Sequence, residues 1–303
     1  MPSNPIHFFN RYTNAIEQEQ IYGENFLRLA YQPPPGRLAV SWAIKRAWFS
    51  RWYGERMDRW KSSVRVRPFI EKYGLNPDEF TQPLGKYHTF NEFFYRKLKP
   101  EARPIDANPK SVVFPADGRH FGFAKASAID SVFVKGQQFD LNALLGSREL
   151  AERYADGPLI LSRLCPVDYH RFHFVTAGTP VSPKLINGPL YSVSPIALRR
   201  NLSYLWQNKR VLTMMRTATL SEVIQVEIGA TNVGSIVQTA IPYQPAAKGA
   251  EKGYFRFGGS STITLFEPGK ITLDADLLHH TSEQRELYAH MGDHMGSVVQ
   301  PGA

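Results

Sequence analysis

The chain has 303 residues, a net charge of +9 and an ordinary globular balance of 43% hydrophobic and 21% charged residues. That length is enough to bury a sizeable core, and the single cysteine, Cys165, excludes an internal disulfide framework and any multi-cysteine metal site. The positive charge suits an acidic partner: an anionic membrane, an anionic substrate or nucleic acid.

The N-terminal stretch MPSNPIHFFNRYTNAIEQEQIYG lacks the basic-then-apolar pattern of a secretory signal, and no uncharged apolar run reaches the ~18 residues of a spanning helix. Residues 1–105 read as a helical region, with a helix predicted over Asn14–Ala30. Residues 37–67 then carry nine Lys/Arg against two acids, Glu55 and Asp58, and hold Trp42, Trp48, Trp52 and Trp60. Trp48, Trp52 and Tyr53 recur at helical spacing, with Arg51 and Arg56 displaced from them. Tryptophan favours the headgroup level of a bilayer and basic residues there attract anionic lipid, so the stretch predicts peripheral membrane docking. The plainer reading is an amphipathic helix packed on the protein's own core. Nucleic-acid binding has only the basic and aromatic interleaving in its favour, without a recognition motif. A further helix is predicted over Phe90–Leu98, with Thr89 and Glu92 as a capping box and Pro100 as its stop.

From residue 106 to 303 short β-branched and aromatic runs alternate with glycine and proline. Strands are predicted at Ser111–Phe114, Ser131–Val134, Leu159–Leu164, Val211–Arg216, Glu222–Ile228, Val233–Ala240, Tyr254–Phe257 and Thr262–Phe266. A helix intervenes near Leu141–Tyr154. Helices first and strands afterwards predict an α+β protein: a helical N-terminal region, then a β-rich core of sandwich or barrel type.

Three segments carry chemistry. FPADGRHFG contains Asp117. LCPVDYHRFHF contains Asp168, His170 and His173. EKGYFRFGGSSTITLF contains Gly258, Gly259, Ser260, Ser261 and Thr262. A lone GGSS is most simply a tight turn. Glycine also permits a strained backbone in which a serine hydroxyl, activated by a base, attacks its own preceding carbonyl. The HxxH pair suits a structural role or, with Asp117 and Asp168, a metal. Imidazole is also the side chain best matched to proton transfer near neutral pH.

Together the three segments resemble the phosphatidylserine decarboxylase family. PADG at Asp117 is similar to the family's aspartate motif, DYHRFH to its histidine motif, and GYFRFGGSS to its Gly-Ser cleavage motif. IYGENFL, FNEFFYRKLKPEARPID, Val134-Lys135-Gly136, GPLYSVSPIAL, VEIGATNVGSI and MGDHMGS agree in order, so the likeness runs from about residue 20 to 297.

The resemblance implies a proenzyme that cuts itself between Gly259 and Ser260. Fragment 1–259 would be the large chain and 260–303 the small one, the two remaining together as a heterodimer. Ser260 would become a pyruvoyl group, the only cofactor, with no metal. His173 would act as base on the Ser260 hydroxyl, with Asp117 orienting and charge-stabilising it. The ketone would take the substrate amine as a Schiff base and serve as electron sink, and His170 would return a proton to the α-carbon. The substrate would be phosphatidylserine in an anionic membrane, met by a peripheral protein at the cytoplasmic face. Oligomeric state stays open, a higher oligomer included. A pyruvoyl enzyme acting on a soluble amino acid and an uncleaved lipid-binding relative are the rival readings. Cys165 is expected in the core, and His279, His280, His290 and His294 as surface or structural residues.

Overall fold

Strand-forming runs build three sheets in the computed structural model, which describes residues 5–20, 29–30, 40, 54–131, 139–230, 236–258 and 260–299. The strands in chain order are β1 (His7–Asn10), β2 (Ala15–Gln18), β3 (Ser111–Val113), β4 (Gly118–Phe123), β5 (Leu159–Leu164), β6 (Arg171–His173), β7 (Thr179–Pro180) and β8 (Lys184–Ile186). There follow β9 (Arg210–Arg216), β10 (Glu222–Ile228), β11 (Ile236–Gln238), β12 (Glu251–Phe255), β13 (Ser260–Leu265), β14 (Ile271–Leu273), β15 (Glu286–Ala289) and β16 (His294–Val298). A ten-stranded sheet runs β2-β1-β15-β4-β5-β13-β10-β9-β7, with β8 also on β9. Two three-stranded sheets run β11-β12-β6 and β14-β16-β3. Helix and sheet are mixed as an α+β chain, and none of these sheets closes into a barrel.

Alternation along the central strands divides the large sheet into two faces. Phe121, Leu161, Val226 and Ile263 point to one face, where Leu144, Tyr154, Leu198 and Leu205 cover them. Ile160 and Val223 point to the other, packed with Phe114, Val175, Leu277 and Met295. The helix predicted near Leu141–Tyr154 is two helices, Leu141–Leu145 and Arg148–Tyr154. Gly146, in the left-handed region at φ 62°, ends the first, and the Ser147 hydroxyl accepts from the Leu150 amide to start the second.

The N-terminal expectation needs correction. Ala15–Gln18 is a strand, not the start of a helix. Asn14 adopts a left-handed φ of 52°, which asparagine tolerates, and closes a hairpin between β1 and β2. β1 then joins β15 in parallel, so pairing with the large sheet overrides local helix preference. The predicted strand at Ser131–Val134 lies largely outside the described residues, as do Trp42, Trp48 and Trp52. The helix Val66–Tyr73 follows a 3-10 turn at Trp60–Arg65. The helix predicted to reach Leu98 ends at Phe94, because Leu98 pairs with Phe80 instead. Its capping box forms: the Thr89 hydroxyl accepts from the Glu92 amide at 3.1 Å, and the Glu92 carboxylate accepts from the His88 amide at 2.7 Å. These N-terminal elements share one aromatic cluster, Phe69, Phe80, Phe90, Phe93 and Phe94, which closes around Phe257 just before β13.

Candidate active site

β13 begins at Ser260 and lies between β5 and β10, with Ser260 opposite Leu164 and Ser261 opposite Arg163 and Ile228. Ile263 and Leu265 fill the helix-covered core, so Ser261 shares their face. Ser260, Thr262 and Thr264 therefore turn to the other face, beside Ser162 of β5 and Gln225 and Glu227 of β10. Gln225 donates to the His173 carbonyl at 2.9 Å, so Ser260's side is the side of the small histidine-bearing sheet. Ser260 is fully buried, and its Oγ has no hydrogen-bond partner among the described residues. Folding rarely leaves such a group unmet, and doing so costs about 1–3 kcal/mol.

The histidines come from a tight turn and the strand after it. The Asp168 amide donates to the Cys165 carbonyl at 2.8 Å, while the Asp168 carboxylate accepts from the Cys165 amide at 2.6 Å. His173 ends β6, and its Nδ1 lies 2.9 Å from the Gly249 carbonyl. A carbonyl only accepts, so Nδ1 carries the proton and Nε2 the lone pair. That Nε2 is buried and unpartnered. His170 repeats the pattern: Nδ1 lies 3.1 Å from the Asp168 carbonyl and Nε2 has no partner. Its ring packs on Phe94, and the Gly258 carbonyl lies close enough to favour its protonated form without completing a hydrogen bond. Burial pushes both imidazoles below their ordinary value, His170 to about 3, with the Arg96 charge adding to the effect there. Both are neutral bases at pH 7.

Asp117 precedes β4, where Gly118 is required: a Cβ there would stand 2.5 Å from the Arg163 carbonyl. The Asp117 carboxylate receives Arg103 Nε at 2.8 Å and Nη2 at 2.7 Å, and the Met291 amide at 2.9 Å. Burial alone would push this carboxyl up, but Arg103, His290 and the Met291 amide outweigh it and hold it below its ordinary value. It makes no hydrogen bond to His173. The two are joined through the backbone, since the His173 amide donates to the Pro115 carbonyl at 2.7 Å. Ala116, Leu164 and Phe172 pack together, which brings the chain beside Asp117, Ser260 and His173 into one cluster. Gly259 lies outside the described residues. Its neighbour Gly258 has a φ of 138°, a conformation side chains disfavour.

Sequence reasoning missed the charged frame around these groups. Arg119 pairs with Asp168 at 2.6 Å, and Arg163 with Glu19 and Glu286, each at 2.6 Å. Lys252 and Glu227 form a fully buried pair at 2.5 Å, joined by Gln238. Arginine and lysine in strands read as surface residues, and only the pairing registers reveal them as buried. Cys165 is in the core as expected, where burial pushes its thiol well up. His294 bonds Asp274 and Ser297. Among the described residues one group could gather metal ligands, His279, His280 and Glu283, but Arg285 already sits 3.1 Å from His280 Nδ1. Asp117, Asp168, His170 and His173 do not gather in that way.

A family model described as phosphatidylserine decarboxylase matches residues 90–296. Three curated relatives bear the name phosphatidylserine decarboxylase proenzyme. That of Chlamydia muridarum is 43% identical over 98% of each chain. That of Fusobacterium nucleatum is 39% identical over 96% of this chain and 97% of its own. That of Clostridium novyi is 40% identical over 97% of this chain and all of its own.

Proposed function

Because the chain belongs to the phosphatidylserine decarboxylase family, we propose that it converts phosphatidylserine to phosphatidylethanolamine and carbon dioxide after cutting itself between Gly259 and Ser260. The observation that carries this reading is the unmet Ser260 hydroxyl at the head of a buried strand, on the same side as two buried imidazoles with free Nε2 atoms. His173 Nε2 takes the Ser260 proton, and Oγ attacks the Gly259 carbonyl carbon. The Gly259–Ser260 amide becomes an ester as the proton passes to the Ser260 nitrogen. Elimination at residue 260 frees the Gly259 carboxylate, and hydrolysis releases ammonia and leaves a pyruvoyl end. Asp117, locked to Arg103 and the Met291 amide, fixes the loop that holds the His173 backbone and places a negative charge near its ring.

The burial of Ser260, its lack of competing partners and the neutral His170 and His173 on the same side of the sheet fit a pyruvoyl group at that position. Such a group supplies a ketone that captures the substrate amine and accepts the electron pair left by departing carbon dioxide. His170, neutral at rest, takes up a proton and returns it to the α-carbon. The anionic headgroup favours that uptake.

Chains 1–259 and 260–303 remain one heterodimer in this reading, since β13 is held by β5 and β10 on either side. Residues 1–105 form the docking region and 106–303 the catalytic core, although β1 and β2 extend the core sheet. Among the described residues no helix is long and apolar enough to cross a membrane. Trp60, 72% exposed, and Val64, 74% exposed, stand on a turn carrying Lys61 and Arg65, which supports peripheral docking, and the face proposed for it is the cytoplasmic one.

Intact mass of the purified protein tests the central step. Two fragments split at 259/260 are expected, with none from Ser260→Ala and normal cutting by Ser261→Ala. A single uncut chain under native conditions would overturn the proposal.

A further inference from the structure

The buried cations of this fold are matched almost one for one. Arg103, Arg119, Arg163, Arg171 and Lys252 each meet a carboxylate within 2.8 Å. Arg210 lacks one but donates to the Leu144 carbonyl at 2.7 Å and the Asn208 carbonyl at 3.0 Å. Arg96 is the exception among the described residues. It is 5% exposed and has no carboxylate partner. Its Nη1 and Nη2 reach only the Phe93 and Val167 carbonyls, at 3.5 and 3.4 Å, and its Nε meets nothing. The guanidinium lies over the Phe80 and Phe93 rings at 5.0 and 4.9 Å. Those rings orient it but do not neutralise it. An unpaired buried charge is among the costliest features a fold can keep.

The Tyr87 hydroxyl beside it is also buried and unpartnered. Both residues line a cavity of about 630 Å³ whose wall also carries Lys86, Lys97 and Arg171, with Glu92 its one acid. The Glu92 carboxylate is already engaged by the His88 amide. Arg96 itself stands near the proton-transfer groups: its charge acts on His170, it reaches the Val167 carbonyl just before the Asp168–His170 turn, and Arg171 of the same cavity wall follows that turn. The Ser62 hydroxyl accepts from the Phe90 amide at 2.8 Å, so the exposed Trp60 turn stands beside the same helix.

We propose that Arg96 and Tyr87 form the site for the phosphodiester anion of the substrate's headgroup, holding it while the amine and α-carbon reach Ser260 and His170. Arginine presents a planar fork of donors matched to two phosphate oxygens, and the tyrosine hydroxyl supplies a further one. This assignment rests on the decarboxylase reading. It separates the phosphate from the carboxylate, which must be left unclamped to depart as carbon dioxide.

The test uses Arg96→Lys and Tyr87→Phe with dihexanoyl phosphatidylserine, which is soluble and removes vesicle docking from the assay. Both variants are expected to cut themselves into two chains, because that step involves no substrate. The KM should rise about 10- to 100-fold for Arg96→Lys and about 3- to 10-fold for Tyr87→Phe, with kcat within about threefold. Inhibition by dihexanoyl phosphatidylethanolamine, which keeps the phosphate and lacks the carboxylate, should weaken in parallel. An unchanged KM, or a fall in kcat alone, overturns the assignment. So does a raised KM with product inhibition intact, which would give Arg96 to the carboxylate. Tyr87→Phe decides if Arg96→Lys misfolds. Calorimetric titration of dihexanoyl phosphatidylethanolamine into the uncut Ser260→Ala chain, with and without Tyr87→Phe, reads the site without any turnover. Binding that depends on Tyr87 supports it even if the enzyme reading fails, and binding indifferent to Tyr87 refutes it.

Discussion

The carboxylate of Asp117 and the imidazole of His173 lie in one cluster, yet each bonds elsewhere, the first to Arg103 and the second to Gly249. Asp117→Asn should therefore act first on the fold. It leaves Arg103 buried with only Glu79 to pair with, at 3.1 Å, and should cost about 3–5 kcal/mol. Self-cleavage should slow as the loop loosens. Urea unfolding of Asp117→Asn beside Asp117→Asn/Arg103→Met checks the cause: the double variant should recover most of the loss, and no recovery would show that Arg103 is not the partner that matters. Buried histidines give a second prediction. Burial holds His120 and His170 neutral, each pushed down to about 3. Their folded values lie below the unfolded one, so the unfolded chain takes protons first as pH falls. The stability they support is whole above about pH 6.5 and drains toward pH 3, at up to about 1.4 kcal/mol per pH unit for each. Burial pushes Asp168 and Glu227 up instead, which works in the opposite sense. The histidine part is therefore read as a difference: His120→Gln should lose less stability than the unaltered protein between pH 7.5 and 5. Equal slopes in urea midpoints would rule that out.

At the scale of elements, the entry to β13 is held by a piece of chain far away in sequence. Buried Asn91, in the helix Phe90–Phe94, accepts from the Phe257 amide and donates to Asp58, each at 2.8 Å. Asn91→Ala removes both bonds and should cost about 2 kcal/mol, with slower self-cleavage because the entry to Ser260 loses its tether. A cleavage rate indistinguishable from the unaltered protein would mean that β5 and β10 alone hold β13. This long-range tie marks the limit of what sequence pattern conveys. Leu159–Leu164 and Glu222–Ile228 are legible as strands because each is a short run rich in apolar and β-branched residues set between turn-forming ones, Pro158 before the first and Ser221 and Gly229 around the second. Ala15–Gln18 is not, because AIEQ suits a helix locally and becomes a strand by pairing with β1, which is itself anchored to β15 some 270 residues on. Asp117, His170, His173 and Ser260 stand out in their motifs. Arg103, Arg96, Asn91 and the Lys252–Glu227 pair do not. Their meaning lies in burial and partnership, which no local window contains.

For the whole molecule, the net charge of +9 has to be set against where it can act. Many interior arginines are neutralised by carboxylates and contribute no field at a surface. The exposed turn Trp60–Arg65 differs: it has no acid in its first turn, Lys61 lies over the Trp60 ring, and Trp60 and Val64 are turned to solvent. A basic residue at an anionic surface contributes about 1 kcal/mol, and an inserted aromatic adds an apolar share that salt does not screen. The two contributions should therefore separate in one assay. Sedimentation with phosphatidylglycerol-containing vesicles should weaken steeply from 0.05 to 0.5 M salt, as the screening length drops well below ~10 Å. Trp60→Ala should weaken binding about three- to tenfold at every salt concentration without altering the slope, and Lys61→Gln/Arg65→Gln should flatten the slope instead. Equal binding to neutral vesicles, or a Trp60→Ala protein that binds as tightly as the unaltered one, would move the docking surface away from this turn. Self-cleavage should be untouched in all of these variants, because cutting needs no bilayer.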